Sequence, residues 1–580
     1  MKKSGIVIGI AIVCFGVLCG CGESVSGDLS WIPNTESSEN WGEHEANVTD
    51  MIVGEENDKQ NAVEFLETYN LNSYDLEEMS HAILQDDLEL FADMAWDNQR
   101  MNGLYQPQLD VINGKNVLCF FVSAADGDDA NDGLSPNRPK KSLEMFSGVS
   151  NVHVYLKTDD VFEMEQTFYV GDNTLIAAYG DGKRPVLDYY QDFTGTWMKV
   201  NGYSHVWQMD LSTDAKLYQE QRSMSDCNIG QLRIDGEQNF KRVVGADGDV
   251  FNYASYLETV SDGSWGVDWD NGLIYLYSMT DPNQMEIEYS YPGFGVSLSG
   301  VSNVWLAGLE ITGAGMHGVS LSEVKNVNIT NCYIHHIGGA ILKKSGMRYG
   351  NAIELWDGGE NLKIKYNVAD WIYDTCYTNQ GSSKQALQKN ILFSNNVGAH
   401  CFQGLEIWGD SYSQHTFESI RYTDNIMLNA CDVTAVENSY VVNGKGELLV
   451  SPGVVTYRSG NYPYHQMSLL NAGTNRKYDS LQICRNLFVG TDRFLTLFLQ
   501  GAEEQKYPYL SENVFVESNT GTGKCLYRHS DKLGTIFYCE NLPNEIRNEQ
   551  SVYELDDENF EEGMRKYLRS ALELFANETE

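Results

Sequence analysis

Two glutamates stand in matching settings. Asn351-Ala-Ile-Glu354-Leu-Trp356 is echoed by Gln403-Gly-Leu-Glu406-Ile-Trp408, with Thr375-Cys-Tyr-Thr378-Asn-Gln380 between them and Gly318-Val-Ser320-Leu-Ser322 ahead. A pair of carboxylates can divide acid and base work at one reacting oxygen, one donating a proton and the other activating water. Held two strands apart in a parallel stack, at about 4.8 Å per strand, their backbones would lie roughly 9–10 Å apart. That is near the upper end of the roughly 6.5–9.5 Å separating the carboxyl groups of inverting glycosidases. Asp374 is a third candidate for either role, and Asp357 and Asp410 lie close in sequence. Alternation places Ser320, Glu354, Thr378 and Glu406 in one outward column, and Ser322, Trp356, Gln380 and Trp408 in the next. Both columns are expected to face solvent. Trp356 and Trp408 would then be platforms for sugar rings, with Thr378 and Gln380 as polar contacts. The alternative is a stacking ladder, or a face that lies under the inserted β segment, with no catalysis.

Other candidates compete. Lys343, Lys344 and Arg348 form a basic cluster that is rare in this chain, and Arg348 is a candidate substrate contact. His317, His335, His336 and His400 lie nearby and read as packed or surface residues rather than bases. Asp126 to Gly133 is dense in carboxylates without the spacing of an EF-hand loop, so it reads as a turn-rich cap.

The elements that would position these residues are short and repeated. Asn303-Val-Trp-Leu-Ala-Gly-Leu309-Glu-Ile311 aligns with Asn326-Val-Asn-Ile-Thr-Asn-Cys332-Tyr-Ile334, 23 residues later. The frame returns at Asn361, Asn390, Ser419 and Leu481, and more weakly at Asn513. Each copy is a strand of period two ending in a bend, and the bend position is filled in turn by Leu309, Cys332, Asn367, Asn396, Asn425, Asn486 and Asn513. One coil cannot bury its apolar face alone, so copies at this period imply a stacked solenoid. A recurring asparagine suits such a stack, because its amide can bond the equivalent residue one coil away while its backbone turns the corner.

Phe120-Phe-Val-Ser-Ala-Ala-Asp-Gly-Asp-Asp-Ala-Asn-Asp-Gly-Leu-Ser-Pro136 and Ile176-Ala-Ala-Tyr-Gly-Asp-Gly-Lys-Arg-Pro-Val186 resemble the opening segment and first coil of pectate-lyase-like β-helix proteins. The resemblance runs from about Val117 to Glu517. It implies an all-β fold, a right-handed parallel β-helix with a β-rich insertion and flanking helices. It does not choose an activity, because that superfamily holds hydrolases, lyases, epimerases and adhesins. In its lyases an Arg or Lys takes the proton beside a uronate carboxyl group, often with calcium; Lys344 or Arg348, with Glu354 toward calcium, would be the counterparts here.

The rest of the chain frames this body. Residues 1–20 read as an export signal, and Leu18-Cys19-Gly20-Cys21 resembles a lipobox with Cys21 as the lipidated residue. Residues 21–57 read as an acidic flexible tether and 58–105 as a helical segment that packs on the N-terminal end or stands on the stalk. Residues 117–194 form the cap and first coils, 195–292 a Trp- and Tyr-rich β insertion, and 293–520 the main β-helix. Residues 521–580 end in an amphipathic helix with Phe560, Met564, Tyr567, Leu568, Leu572 and Phe575 on one face.

Acidic residues outnumber basic ones by 82 to 40, a net charge of −42. Such a surface repels nucleic acid and anionic headgroups and disfavours polyanionic substrates. No C-x-x-C pair marks a zinc or redox site, and no cofactor is called for beyond the calcium that lyase chemistry would use. The reading is a lipid-anchored, exported protein on the outer face of a bacterial membrane, with a polysaccharide or oligosaccharide as partner. It would be a hydrolase, a lyase or a glycan-binding adhesin.

Overall fold

The computed structural model describes residues 76–101, 117–211, most of 229–428, and a set of strands between 440 and 555. Cys21, the tether, the basic loop with Lys343, Lys344 and Arg348, Asp410 and the expected C-terminal helix lie outside the described residues. Among those described, no helix is long and apolar enough to cross a membrane.

Twenty-seven strands join in one sheet that winds as a parallel β-helix. One stack runs through Val296–Ser299, the first half of Val319–Thr330, the first half of Ile353–Lys365, the second half of Val368–Gly381, Cys401–Gly409 and Met467–Asn471. A second stack carries Ser302–Ala307, Leu387–Ser394 and Thr416–Thr423. A third carries Glu310–Thr312, Tyr333–Ile337, Val397–Gly398, Ile426–Leu428 and Leu487–Gly490. Every second side chain turns inward, so Leu298, Leu321, Leu355 and Ile407 share one core with Ile329, Ile364 and Phe393 from the second stack. Three strands run straight through a corner, where Glu323, Asn326, Asp357, Asn361 and Trp371 take positive φ of 52–60°. The stacking runs on past residue 520 to Ser551–Leu555.

The recurrent asparagines form a buried ladder. Asn367 donates through both its backbone N–H and its Nδ2 to Oδ1 of Asn396, each at 3.0 Å. Asn396 repeats this toward Asn425, Asn425 toward Asn486, and Asn486 toward Asn513. The second Nδ2 hydrogen reaches a backbone carbonyl, Ile364 for Asn396 and Phe393 for Asn425. A second ladder, not anticipated from the sequence, lies at the opposite end of the same strands. Asn151, Asn173, Asn303, Asn326, Asn361 and Asn390 pass Nδ2–Oδ1 bonds of 2.8–3.0 Å from coil to coil, mostly at the surface. All six have φ of 54–63°, a left-handed corner that asparagine tolerates better than most residues. Those positions opened four of the repeat frames in the sequence, so the signal was present.

The carboxylates of the N-terminal cap hold turns. Asp129 Oδ1 accepts from the backbone N–H of Lys141 and Ser142, and Asp128 from Ala130. Two smaller sheets stand beside the coil. One is antiparallel, with Tyr190–Asp192, Ile287–Ser290, Leu232–Ile234 and Glu237–Asn239. The other includes Val206–Asp210, Arg242–Gly245, Trp265–Asp268 and Leu273–Tyr277, and is extended by Tyr440–Val442 from far along the chain. Trp265, Met209, Ile274, Leu276 and Tyr289 form their common core.

Helices α1 (Leu76–Leu84) and α2 (Leu88–Met101) correct the expected placement. They lie along the flank of the coils, with Met79, Ile83, Phe91 and Ala95 against Tyr333, Val368, Val397, Ile426 and Leu487. The reason lies in the third stack. The residue after each ladder position is apolar and points outward, which makes a stripe that must be covered. Two buried polar anchors fix the hairpin. Arg184 donates to Ala92 O (2.9 Å) and Asn331 O (2.7 Å), with its guanidinium over Trp96. His400 bridges Asp370 (2.6 Å) and Asp86 of the α1–α2 turn (3.1 Å), and stacks on Trp371 at 4.2 Å, with His336 stacked on the same indole.

Burial opposes charge on His400, but the Asp370 and Asp86 hydrogen bonds outweigh it and push its pKa up to about 10. The folded value is raised above the usual ~6.5, so this stabilisation is complete below pH ~6.5 and is lost as pH rises through ~10. Denaturant unfolding at pH 6 and pH 10 should show the wild type losing on the order of 3 kcal/mol more than His400→Gln. Equal losses in the two proteins would refute the assignment.

Candidate functional site

The strand registers place the candidate residues as coil neighbours. Ser320 pairs with Glu354, Glu354 with Thr378, and Thr378 with Glu406; beside them run Ser322, Trp356, Gln380 and Trp408. Both columns point away from the core. The expectation that they face solvent is nonetheless wrong for Glu354, Thr378, Gln380 and Glu406, while Ser320 and Ser322 are half-exposed. Glu354 is 7% exposed, Glu406 1% and Thr378 0%, and Gln380 and Asp374 are also buried. A buried carboxylate must be met by donors. The structure supplies them.

Glu354 is held at both oxygens. Asn351 Nδ2 donates to Oε1 (3.0 Å), and Nε2 of His317 lies 2.9 Å from Oε2. The backbone N–H of Asn351 donates to His317 Nδ1 (3.0 Å), so the proton of the neutral ring sits on Nε2 and is donated to Glu354. His317, read from the sequence as a packing residue, is therefore the support of the first carboxylate. The signal that could have found it is its place just ahead of Gly318, one coil before Asn351 and Ala352. Asn351 also accepts from the backbone N–H of Thr375 (3.1 Å), which ties the two coils together.

Glu406 is more enclosed. Its Oε2 accepts from Gln380 Nε2 (2.6 Å) and Thr378 Oγ1 (3.1 Å), with Thr375 Oγ1 at 3.5 Å. Thr375 Oγ1 also lies 3.4 Å from Asp374 Oδ1, so its one hydroxyl hydrogen serves either Asp374 or Glu406, while its backbone N–H ties this group to Asn351 and Glu354. Behind this strand, inside the coil, Asn379 replaces a core aliphatic. Asn379 donates to Gln388, Gln388 donates to the Gln380 and Asp357 carbonyls, and the Tyr422 hydroxyl bridges Asn379 and the Glu406 carbonyl. Burial pushes the Tyr422 hydroxyl well above its usual pKa, and the nearby Glu406 charge adds to this, so it acts as a neutral hydrogen-bonding group.

The two tryptophans do not stand apart as platforms. Their rings stack on each other, centroids 5.9 Å apart at 18°. Aromatic surface against His317, the partner of Glu354, comes from Phe294 and Tyr349, which the sequence did not single out. Phe294 stacks on the His317 ring (5.5 Å, 10°), and Tyr349 meets it edge-on (5.2 Å, 85°).

No family model matches the sequence. No curated protein is detectably similar to it in sequence. Among solved structures, the chain is similar to XylC in complex with xylose, at 10% identity over 75% of this chain and 82% of that one, TM-score 0.39. It is similar to the GH136 lacto-N-biosidase from Eubacterium ramulus at 12% identity over 87% and 81%, TM-score 0.35. It is also similar to PfbA, a surface adhesin of Streptococcus pneumoniae, at 10% identity over 66% and 86%, TM-score 0.27. Likeness at this level says nothing of chemistry. The site must be read from its own residues. Among those described, no group of three His, Cys, Asp or Glu side chains is placed to hold a metal ion.

Proposed function

We propose that this protein is a carbohydrate-active enzyme of the cell surface, a glycoside hydrolase whose acid–base pair is Glu354 and Glu406. One observation carries the reading: two carboxylates on the outer face of one sheet, two coils apart, are each buried and held by dedicated donors. Burying ionisable groups is costly, and a coil could fill such positions with Thr or Ser, as it does at Ser320 and Thr378. Their spacing of roughly two coil rises suits a water molecule activated by one group and a leaving oxygen protonated by the other. Asp374 stands beside Glu406 at the Thr375 hydroxyl as a third carboxylate. Surface location rests on the export signal and the lipobox-like Cys21.

The test is to incubate the full chain with neutral and acidic glycans and measure new reducing ends. Reducing ends that appear with the wild type and vanish with Glu354→Gln plus Glu406→Gln support the proposal. Activity that survives both changes overturns the pair. The close seating of Glu406 and the mutual stacking of Trp356 and Trp408 favour a second reading, a glycan-binding surface without turnover. Binding with no reducing ends released from any glycan would select it.

A further inference from the structure

We propose that Phe294 and Tyr349 form a subsite for one uncharged pyranose ring beside Glu354. The proposal rests on the hydrolase reading of Glu354 and deepens it by naming where the sugar sits and its charge class. Every polar side chain that orders Glu354 is buried, yet Phe294 and Tyr349, both in ring contact with His317, remain half-exposed. They are aromatic surface that meets His317, the partner of Glu354, and still reaches solvent. Trp356 and Trp408 have each turned a ring face toward the other.

The two rings are seated by backbone rather than left on loose loops. Phe294 lies between Gly293 and Gly295, and a Cβ at Gly295 would come within 2.6 Å of the Gly318 carbonyl. The Gly295 N–H donates to His317 O (2.9 Å), Met316 N–H to Gly293 O (3.0 Å), and Thr167 Oγ1 to the Phe294 carbonyl (2.9 Å). Tyr349 is followed by Gly350, where a Cβ would meet Tyr373 Cβ at 2.6 Å, and its N–H donates to Ala340 O. The rings are perpendicular to one another (86°), so together they offer a corner. A pyranose ring presents C–H groups to an aromatic face and hydroxyls at its edge, and here the edge would meet the carboxylate. A uronate would set a carboxylate beside the Glu354 carboxyl group, whose partners Asn351 and His317 offer it no positive charge, which favours an uncharged ring.

Binding separates this subsite from catalysis. Titration of neutral β-linked hexose and N-acetylhexosamine oligosaccharides, with oligogalacturonate as the charged comparison, should give saturable binding of a neutral ligand. Phe294→Ala and Tyr349→Ala should each weaken it about tenfold or more, with far-ultraviolet circular dichroism and melting unchanged; Tyr349→Phe, which keeps the ring, should bind as the wild type. Unchanged affinity in both alanine variants, or loss on Trp356→Ala in their place, overturns the subsite, and so does preference for oligogalacturonate. Neutral glycan bound through these rings but never cleaved upholds the subsite and removes the hydrolase reading. No binding by any glycan removes both.

Discussion

Glu406→Gln should lower turnover by about 10²–10⁴-fold, the usual worth of a positioned acid or base, while leaving the protein folded. The hydrogen bonds explain why this variant is clean. The oxygen of glutamine can take the place of Oε2 and keep the donors from Gln380 and Thr378, at 2.6 and 3.1 Å. Its N–H₂ would then stand at Oε1, where the donor is Gln403 Nε2 at 3.5 Å, a contact at the limit of a hydrogen bond, so little is lost there beyond the ionisable group. Glu354→Gln is different. Both oxygens of Glu354 accept, one from Asn351 Nδ2 and one from His317 Nε2, and the backbone N–H on Nδ1 prevents the ring from switching tautomer. A glutamine there must set an N–H₂ against one of these donors. It should therefore lose turnover to a similar degree and also about 1–3 kcal/mol of stability, the cost of one unmet buried donor. Rates of reducing-end release and urea unfolding of the two variants check both parts. Equal stabilities would show that His317 and Asn351 do not clamp Glu354 as described.

The buried ladder should give the largest stability effect in the molecule. Asn396→Ala leaves the N–H and one Nδ2 hydrogen of Asn367 and the carbonyl of Ile364 without the partner they have in Asn396, while the other Nδ2 hydrogen keeps Ile329 O. At about 1–3 kcal/mol for each unmet buried group, the loss is about 3–6 kcal/mol once partial relaxation is allowed. Asn361→Gly on the surface ladder keeps the positive φ of 60° and exposes its former partners to water, so it should cost less than about 1 kcal/mol. Denaturant midpoints for the two variants distinguish the ladders. A small loss at Asn396 would mean that backbone pairing alone holds the corner.

The coil was legible because its signals are local and repeated. Period-two alternation and the recurrent bend position, an asparagine from Asn367 onward, set the register so well that Ser320, Glu354, Thr378 and Glu406 fall in one column. What alternation cannot show is whether an outward residue is covered. Glu354 and Thr378 point out of the coil and are still buried, while Val368, Val397 and Ile426 point out and are apolar. The second case was readable, since a residue of the wrong polarity follows each bend and calls for a cover. The first was not, because the groups that enclose the glutamates are distant in sequence. His317 is the sharpest example. Its role depends on a backbone N–H 34 residues away, so its place one coil before Asn351 gains meaning only once the coils are in register.

The α1–α2 hairpin has a consequence for how the chain acquires its shape. It precedes the coils it rests on, and its Asp86 meets His400 across 314 residues of sequence. Its apolar side matches coils spread from Tyr333 to Val489 and is not covered until those coils have wound, although Arg184 of the first coils can meet Ala92 and Trp96 before then. During synthesis the hairpin therefore emerges early and docks late, with Met79, Ile83 and Phe91 uncovered in the interval. The flank of the growing solenoid is uncovered for the same time. Docking closes both surfaces in one step and makes the hairpin a clasp across coils that otherwise touch only their neighbours.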